Sequence, residues 1–484
     1  MAWSLYRGVV VIGILGLMLR LFWKSLSPDI SEQEKQQLVW MVTVAFALKT
    51  GLVLIWYASV GGLYVDSSVS DQEIYIWGGE YITAQITSGN LFPSLPPQLE
   101  HASPGYYYVL GILFTLFERN PIVASLFNTF LSIVLSILIY HLAHSLSGHW
   151  VAATALLLNL AYPQYISASY FVLKDITITF LLAVLFWGLY VLKGMLPIPV
   201  IVIVMATMAY FRFTQALIGA VLIFGQLMLG TLIARQRIKS FFLLLVTIAL
   251  LVTFFASVQI GGYTLSNIGY STNVLAYHVR NSMFLHGERL DFSFRSLTSL
   301  ARTIGANWTA FLYHSAESLF HTFWGPPYLY SRSGPNLHPY NPTEPPFRVL
   351  LESAGAFMMT ALMPFVFYGW SEVAREKTAE SFFLWTYPLV WVLLLIFSGN
   401  SYRWRLPIIP ILLLFAALGI SKWRQVRPFY PLYVMAFTLL VAVNASLNQY
   451  LIVGFSTGSV TLVFLVAMAI WKWHLGYFNS RPRG

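Results

Sequence analysis

The sequence has no cysteine, which removes disulfides, thiol chemistry and thiolate-bound metal. It is also poor in charge: Asp, Glu, Lys and Arg make up 10% of 484 residues, where a soluble domain carries about 25%. That deficit excludes a soluble enzyme and a disordered chain. No GxGxxG, Walker, CxxC or HExxH pattern occurs, so no nucleotide, redox or zinc motif is available. Inverted sequence repeats of the kind many transporters carry are absent as well.

What fills the chain instead is apolar. Hydrophobic residues reach 58%, with 36 Phe, 28 Tyr and 16 Trp. Apolar runs recur at about 8–23, 38–60, 121–143, 150–167, 176–193, 198–211, 214–231, 241–258, 350–370, 382–398, 405–420, 428–447 and 458–473. At about 20 residues per crossing, the expectation is an all-α polytopic membrane protein of about 13 transmembrane helices. The first run lacks a small-residue cleavage site and reads as a span, not a signal peptide.

Sidedness follows from the basic residues. Lys24, Lys35, Lys193, Arg235, Arg237, Lys239, Arg375, Lys377, Lys422, Arg424, Arg427, Arg481 and Arg483 fall on one side if the spans alternate. The opposite short loops carry Lys174, Arg212, Arg403 and Arg405. Positive loops face the cytoplasm, so the net charge of +10 is membrane topology and not a nucleic-acid surface. Two long connectors, 61–120 and 259–349, then lie outside, in a chain read as one integral-membrane domain over 1–484. They hold ten of the 18 acids, and the second holds five of the ten histidines. Function is therefore sought on the outer face. Within the spans Lys49 is the main charge, read as a lysine snorkelling from near a helix end.

In the first loop, Ile74, Trp77 and Tyr81 recur at helical spacing and predict a short interfacial helix. Asp71 sits just before it. It is either a cap for that helix or a general base at the membrane surface.

Here the sequence resembles a known family. Asp71-x-Glu73-x-Tyr75, a helix ending near Gly89, and His101-Ala-Ser-Pro104-Gly-Tyr-Tyr-Tyr look like the first outer loop of GT-C glycosyltransferases. The closest set is the protein mannosyltransferase and aminoarabinose transferase superfamily. Asn120-Pro-Ile-Val-Ala continues the likeness, and Ile166 to Asp175, with Lys174-Asp175 at its end, is similar to the second outer loop. Gly399-Asn400-Ser-Tyr-Arg403-Trp-Arg405-Leu-Pro407 looks like the family's Arg-Tyr-x-x-Pro opening of a late span. One departure is Gln72, which stands where the family often has an acid beside the first Asp.

The resemblance implies a membrane enzyme that moves a sugar from a polyprenyl-phosphate donor to an outside glycan, lipid or protein acceptor by an inverting displacement. Asp71 would be the base. Glu73, Tyr75, His101, Lys174, Asp175, Arg403 and Arg405 would bind substrate, the cations through the phosphate. Plainer readings stand beside these: interfacial anchoring for Arg403 and Arg405, a local ion pair for Lys174 and Asp175, and a solvated loop for His101. His314 and His321 lack a third ligand for a metal; no cofactor is indicated, and a divalent cation stays open.

The 259–349 connector has helical texture near 272–288 and 293–324, and its Trp308, Trp324, Tyr328, Tyr330 and Tyr340 suit either a saccharide groove or the bilayer surface. The alternatives are a lipid-linked polysaccharide polymerase or ligase, and a transporter of lipid-linked sugars. A transporter needs charges or broken helices at mid-membrane, of which the sequence offers few.

Overall fold

The computed structural model describes residues 2–26, 30–59, 70–91, 93, 95, 96, 99, 104–117, 119–193, 196–234, 346–375, 381–398, 402–435 and 437. The run at 241–258, residues 259–345 of the long connector with their histidines and aromatics, and the run at 458–473 lie outside them. Every regular element among the described residues is helical. The chain divides into two compact units, Met1–Asn267 and Ile268–Gly484.

The first unit runs α1 (Ala2–Ser25), α2 (Glu32–Ser59), α3 (Ser70–Thr87), α4 (Pro104–Phe117), α5 (Ile122–Ser147), α6 (His149–Ala161), α7 (Pro163–Tyr170), α8 (Asp175–Tyr190), α9 (Pro197–Phe211) and α10 (Phe213–Ala234). Local chemistry sets several boundaries. Ser31 and Glu34 form a reciprocal capping box at the start of α2, with Ser31 N–H donating to Glu34 Oε2 at 3.1 Å and Glu34 N–H to Ser31 Oγ at 3.3 Å. Gly148, at φ +81°, turns α5 directly into α6, a conformation that costs a residue with a Cβ. Proline opens α7 and α9 at their first turns, where a missing N–H leaves no bond unmade.

Helix α5 is the centre of this unit, packed by α2, α6, α7 and α8. Its inward face is polar: Ser125, Asn128, Thr129, Ser132 and Ser136 are all buried at helical spacing. Three of these hydroxyls, on Thr129, Ser132 and Ser136, satisfy themselves on carbonyls of the preceding turn. Helix α3 lies on α4 with almost no space between them. A Cβ on Gly78 would enter the Tyr107 ring, one on Gly79 would sit 2.6 Å from Leu110 Cβ, and one on Gly111 would strike Ile82.

The second unit has α11 (Pro346–Arg375), α12 (Phe382–Ser398), a 3₁₀ segment (Tyr402–Ile408), α13 (Ile409–Ser421) and α14 (Trp423–Val426). Helices α11 and α13 cross at two glycines in a reciprocal contact. A Cβ on Gly369 would meet the Phe415 carbonyl, and one on Gly419 would meet the Phe365 carbonyl. Tyr433 then ties the stretch after α14 back to α11, its hydroxyl donating to Thr360 O at 2.8 Å.

The described residues hold part of the expected set of spans. Among the described residues three helices are long and apolar enough to cross a membrane: 32–58, 122–147 and 350–375. A fourth arises if the pair Arg405–Ser421 and Trp423–Met435, bent by 88°, is one span. One expected crossing is broken. Hydropathy reads 150–167 as one crossing, whereas the chain leaves the helix at Tyr162 (φ −67°, ψ 114°), just before Pro163. Helices α4, α6, α8 and α9 are apolar but short.

Candidate functional site

The outer connector of the first unit is built around α3. Asp71 falls inside the first turn of the helix, which begins at Ser70, and not ahead of it as the capping reading had it. Its side chain lies outside the described residues, as do His101 and the side chain of Arg403. Glu73 is exposed. Trp77, at 47% exposure, and Ile74 face outward as an interfacial stripe should, while Tyr75 and Ile82 turn inward onto α4.

Two contacts join α3 to the Phe171–Lys174 loop. Gln72 is fully buried, and its Oε1 accepts the Val172 N–H at 3.1 Å. Lys174 Nζ lies 5.5 Å from the centroid of the Tyr75 ring, a cation–π distance. The loop is held from beneath by α5: Asn128 Nδ2 donates to Phe171 O at 3.1 Å and Leu173 O at 3.2 Å, and Ser125 Oγ donates to Tyr170 O at 2.9 Å. A buried stretch without helical bonding needs such partners, and here side chains from two other helices supply them. The Gln72 substitution in the Asp71 motif thus has a use that the sequence did not signal: it is a tether, 100 residues from its partner.

Asp175 opens α8 and is nearly buried. The ion pair it makes is not the local one with Lys174. It faces Arg212, between α9 and α10, at 3.8 Å. Tyr106 closes the cluster, meeting Tyr75 edge-on at 5.2 Å and Phe211 at 6.3 Å between centroids. A Cβ on Gly105 would sit 2.7 Å from Phe211, so α4 and α9 approach at van der Waals distance there. Sequence-predicted Tyr75, Lys174 and Asp175 are therefore brought together beside the first turn of α3. Arg212 and Tyr106 join them unpredicted; the one available signal was that Arg212 is among the few bases on the outer side.

Arg405 belongs to the second unit, in the 3₁₀ segment, and is 1% exposed. Its burial does not fit an anchor lying in the headgroups. Lys49 is also a correction. It sits well inside α2, 2% exposed, with Nζ donating to Ser132 Oγ at 3.3 Å and lying 5.6 Å from the Tyr165 ring centroid. It does not snorkel, because the polar face of α5 offers it a partner in the interior. Among the described residues no group of three His, Asp or Glu side chains could hold a metal ion.

No protein-family model matches the chain, and no curated protein does. Solved structures similar to it are oligosaccharyltransferases from Archaeoglobus fulgidus. One is AglB in complex with an inhibitory peptide and a dolichol-phosphate (13% identity, TM-score 0.47, 88% of this chain and 56% of that one). Another is the apo form (13%, TM-score 0.49, 89% and 57%). A third is tethered to an acceptor peptide containing the NVT sequon (14%, TM-score 0.46, 87% and 55%). The chain spans little more than half the length of those proteins. A likeness at that level decides neither activity nor substrate, which must come from the residues.

Proposed function

We propose that this membrane protein is a GT-C-type glycosyltransferase that moves a sugar from a polyprenyl-phosphate donor to a glycan, lipid or protein acceptor. The reaction would take place on the extracytoplasmic face, with a bacterial plasma membrane as the setting. The observation that carries the reading is the convergence of Tyr75, Lys174 and Asp175 beside the first turn of α3, which bears Asp71.

In this reading Asp71 takes the proton of the acceptor hydroxyl as its oxygen attacks the anomeric carbon. The bond to phosphate breaks, and its electron pair leaves on the polyprenyl phosphate. Lys174, half-buried, meets that growing charge, and a cation already in place needs no reorganisation as the charge develops. Glu73, exposed on the same first turns, and His101 are assigned to substrate, and Asp175 to positioning. Arg403 and Arg405 remain proposed phosphate contacts from their residue type, as planar donors suited to an anion.

A second reading, the lipid-sugar transporter, has one observation in its favour. Lys49 is buried in a span beside Tyr165, on α7, where the chain has just left the helix at Tyr162. One assay separates the two. Purified protein in detergent micelles, given a radiolabelled polyprenyl-phosphate sugar and an acceptor, should release polyprenyl phosphate and a labelled product. Sugar moved between leaflets of vesicles with no bond cleaved would favour the transporter.

A further inference from the structure

Residues Gln72, Tyr75, Gly79 and Ile82 recur at helical spacing on α3, and all four are buried. Three of them meet α4: Tyr75 lies against Tyr106 and Tyr107, Gly79 against Leu110, and Ile82 against Gly111. Gln72 is the polar member of the stripe, and it meets a loop instead of a helix. Its Oε1 accepts the Val172 N–H at 3.1 Å, while its Nε2 is buried with no hydrogen-bond partner among the described residues. Burying an amide to make one bond and leave another unmade adds little stability. Stability alone therefore does not account for Gln72, and an unsatisfied buried group of this kind calls for another reason.

The loop that Gln72 meets is fixed from the other side by α5. Ser125 Oγ donates to Tyr170 O, and Asn128 Nδ2 donates to both Phe171 O and Leu173 O. The Leu173 N–H turns back onto Phe171 O at 2.8 Å. In a trans peptide the carbonyl and the N–H point opposite ways, so Asn128 and Gln72 hold the Phe171–Val172 peptide by its two edges. Among the described residues, three side-chain bonds thus tie the loop to α5, and the Gln72 bond ties the first turn of α3 to the loop. Asp71 adjoins Gln72, and Lys174 and Asp175 follow two and three residues after Val172.

We propose that Gln72 is a positioning residue for the transfer reaction, fixing the start of α3, and with it Asp71, against the Phe171–Lys174 loop. The proposal rests on the glycosyltransferase reading above and deepens it. Attack on an anomeric carbon requires the base, the acceptor oxygen and the donor in line, and a displacement of about 1 Å costs about 10²-fold in rate. Without the Gln72 bond the loop is still held by Ser125 and Asn128, so the cation proposed for the phosphate keeps its place while the base loses its own. The signature is slower turnover with donor affinity retained.

The test compares variants of the full-length protein in detergent by two readouts: turnover at saturating donor in the assay above, and affinity for decaprenyl phosphate. Gln72→Met keeps the length and burial of the side chain but has no oxygen to accept the Val172 N–H. Its turnover should fall about tenfold or more, with affinity for decaprenyl phosphate within about twofold of wild type. Gln72→Glu supplies the acceptor again, because burial favours the neutral carboxyl, whose carbonyl oxygen stands where that of the amide does. It should regain most of the turnover.

A role confined to stability would lower the melting temperature of Gln72→Met and leave the turnover of the folded protein unchanged; that result overturns the proposal. Parallel loss of affinity and turnover also overturns it, since Gln72 would then be holding the donor loop and not the base. Gln72→Glu as slow as Gln72→Met would show that the accepted hydrogen bond is not what matters, with the same consequence. Should Gln72→Met fail to fold, Gln72→Asn takes its place, an amide one methylene short of Val172, and wild-type turnover there would overturn the proposal. A wild type that turns over no polyprenyl-phosphate sugar overturns the glycosyltransferase reading itself, and this proposal with it.

Discussion

Single residues divide the two functional readings most sharply. Asp71 lies in the first turn of α3. A carboxylate there contributes roughly 0.3–1 kcal/mol to the helix through the dipole. Asp71→Asn removes only that much stability, yet it removes the base entirely. The expected outcome is a folded protein whose transfer rate falls about 10²-fold or more, measured by product formation at saturating donor. Undiminished turnover would pass the role to Glu73 or Asp175. Lys49 makes the opposite prediction. Its ammonium is buried against one hydroxyl and one ring, and replacing a buried charge by an apolar side chain of similar length is often neutral or stabilising. Lys49→Met should therefore leave sugar transfer intact and not lower the melting temperature. A transfer-dead but well-folded Lys49→Met protein would place the interior cation in the mechanism after all.

Elements show why part of the site was legible and part was not. The apolar stripe of Ile74, Trp77 and Tyr81 put an interfacial helix after Asp71, and the family resemblance singled out Asp71, Glu73 and Tyr75; both depend on neighbours a few residues away. Gln72 and Arg212 depend on partners in other elements, Val172 and Asp175, and no local pattern marks such pairings. The same holds for the expected crossing at 150–167. Hydropathy averages over a window and passes through Tyr162 without seeing the break before Pro163. Helix crossings are hidden for a related reason, since Gly51 and Gly369 look alike in sequence. In an exposed helix alanine is preferred to glycine by about 0.8–1 kcal/mol. Gly51 has nothing within 4 Å of a Cβ, so Gly51→Ala should raise stability by that order. Gly369 meets the Phe415 backbone, which cannot swing aside as a side chain would. Gly369→Ala should instead cost about 1–3 kcal/mol, the usual scale of overpacking. Thermal melts of the two variants in one detergent check the reversal of sign; equal shifts would mean that α11 and α13 are not in contact at this point.

At the scale of the whole chain, the decisive quantity is which face of the membrane the cluster meets. The bases in short connectors are unevenly shared, with Arg235, Arg237 and Lys239 in one and Lys422, Arg424 and Arg427 in another, against Lys174, Arg212, Arg403 and Arg405 on the side of the acidic loops. Translocating a basic connector opposes the membrane potential, which acts at about 2.3 kcal/mol per charge per 100 mV. That term favours the first group inside. Lys174, Arg403 and Arg405 are the ones proposed for phosphate, so their placement on the outer side is a requirement of the proposed reaction and a cost of the topology. A chain without cysteine lets the orientation be measured directly. Single cysteines at Gln236 and Ser88, one in the basic connector and one just after α3, should respond oppositely to an impermeant thiol reagent added to intact cells: Ser88→Cys labelled, Gln236→Cys labelled only after lysis. The reverse pattern would put Asp71, Lys174 and Arg212 in the cytoplasm. The donor would then have to be presented from the inner leaflet, and the extracytoplasmic acceptor would be ruled out.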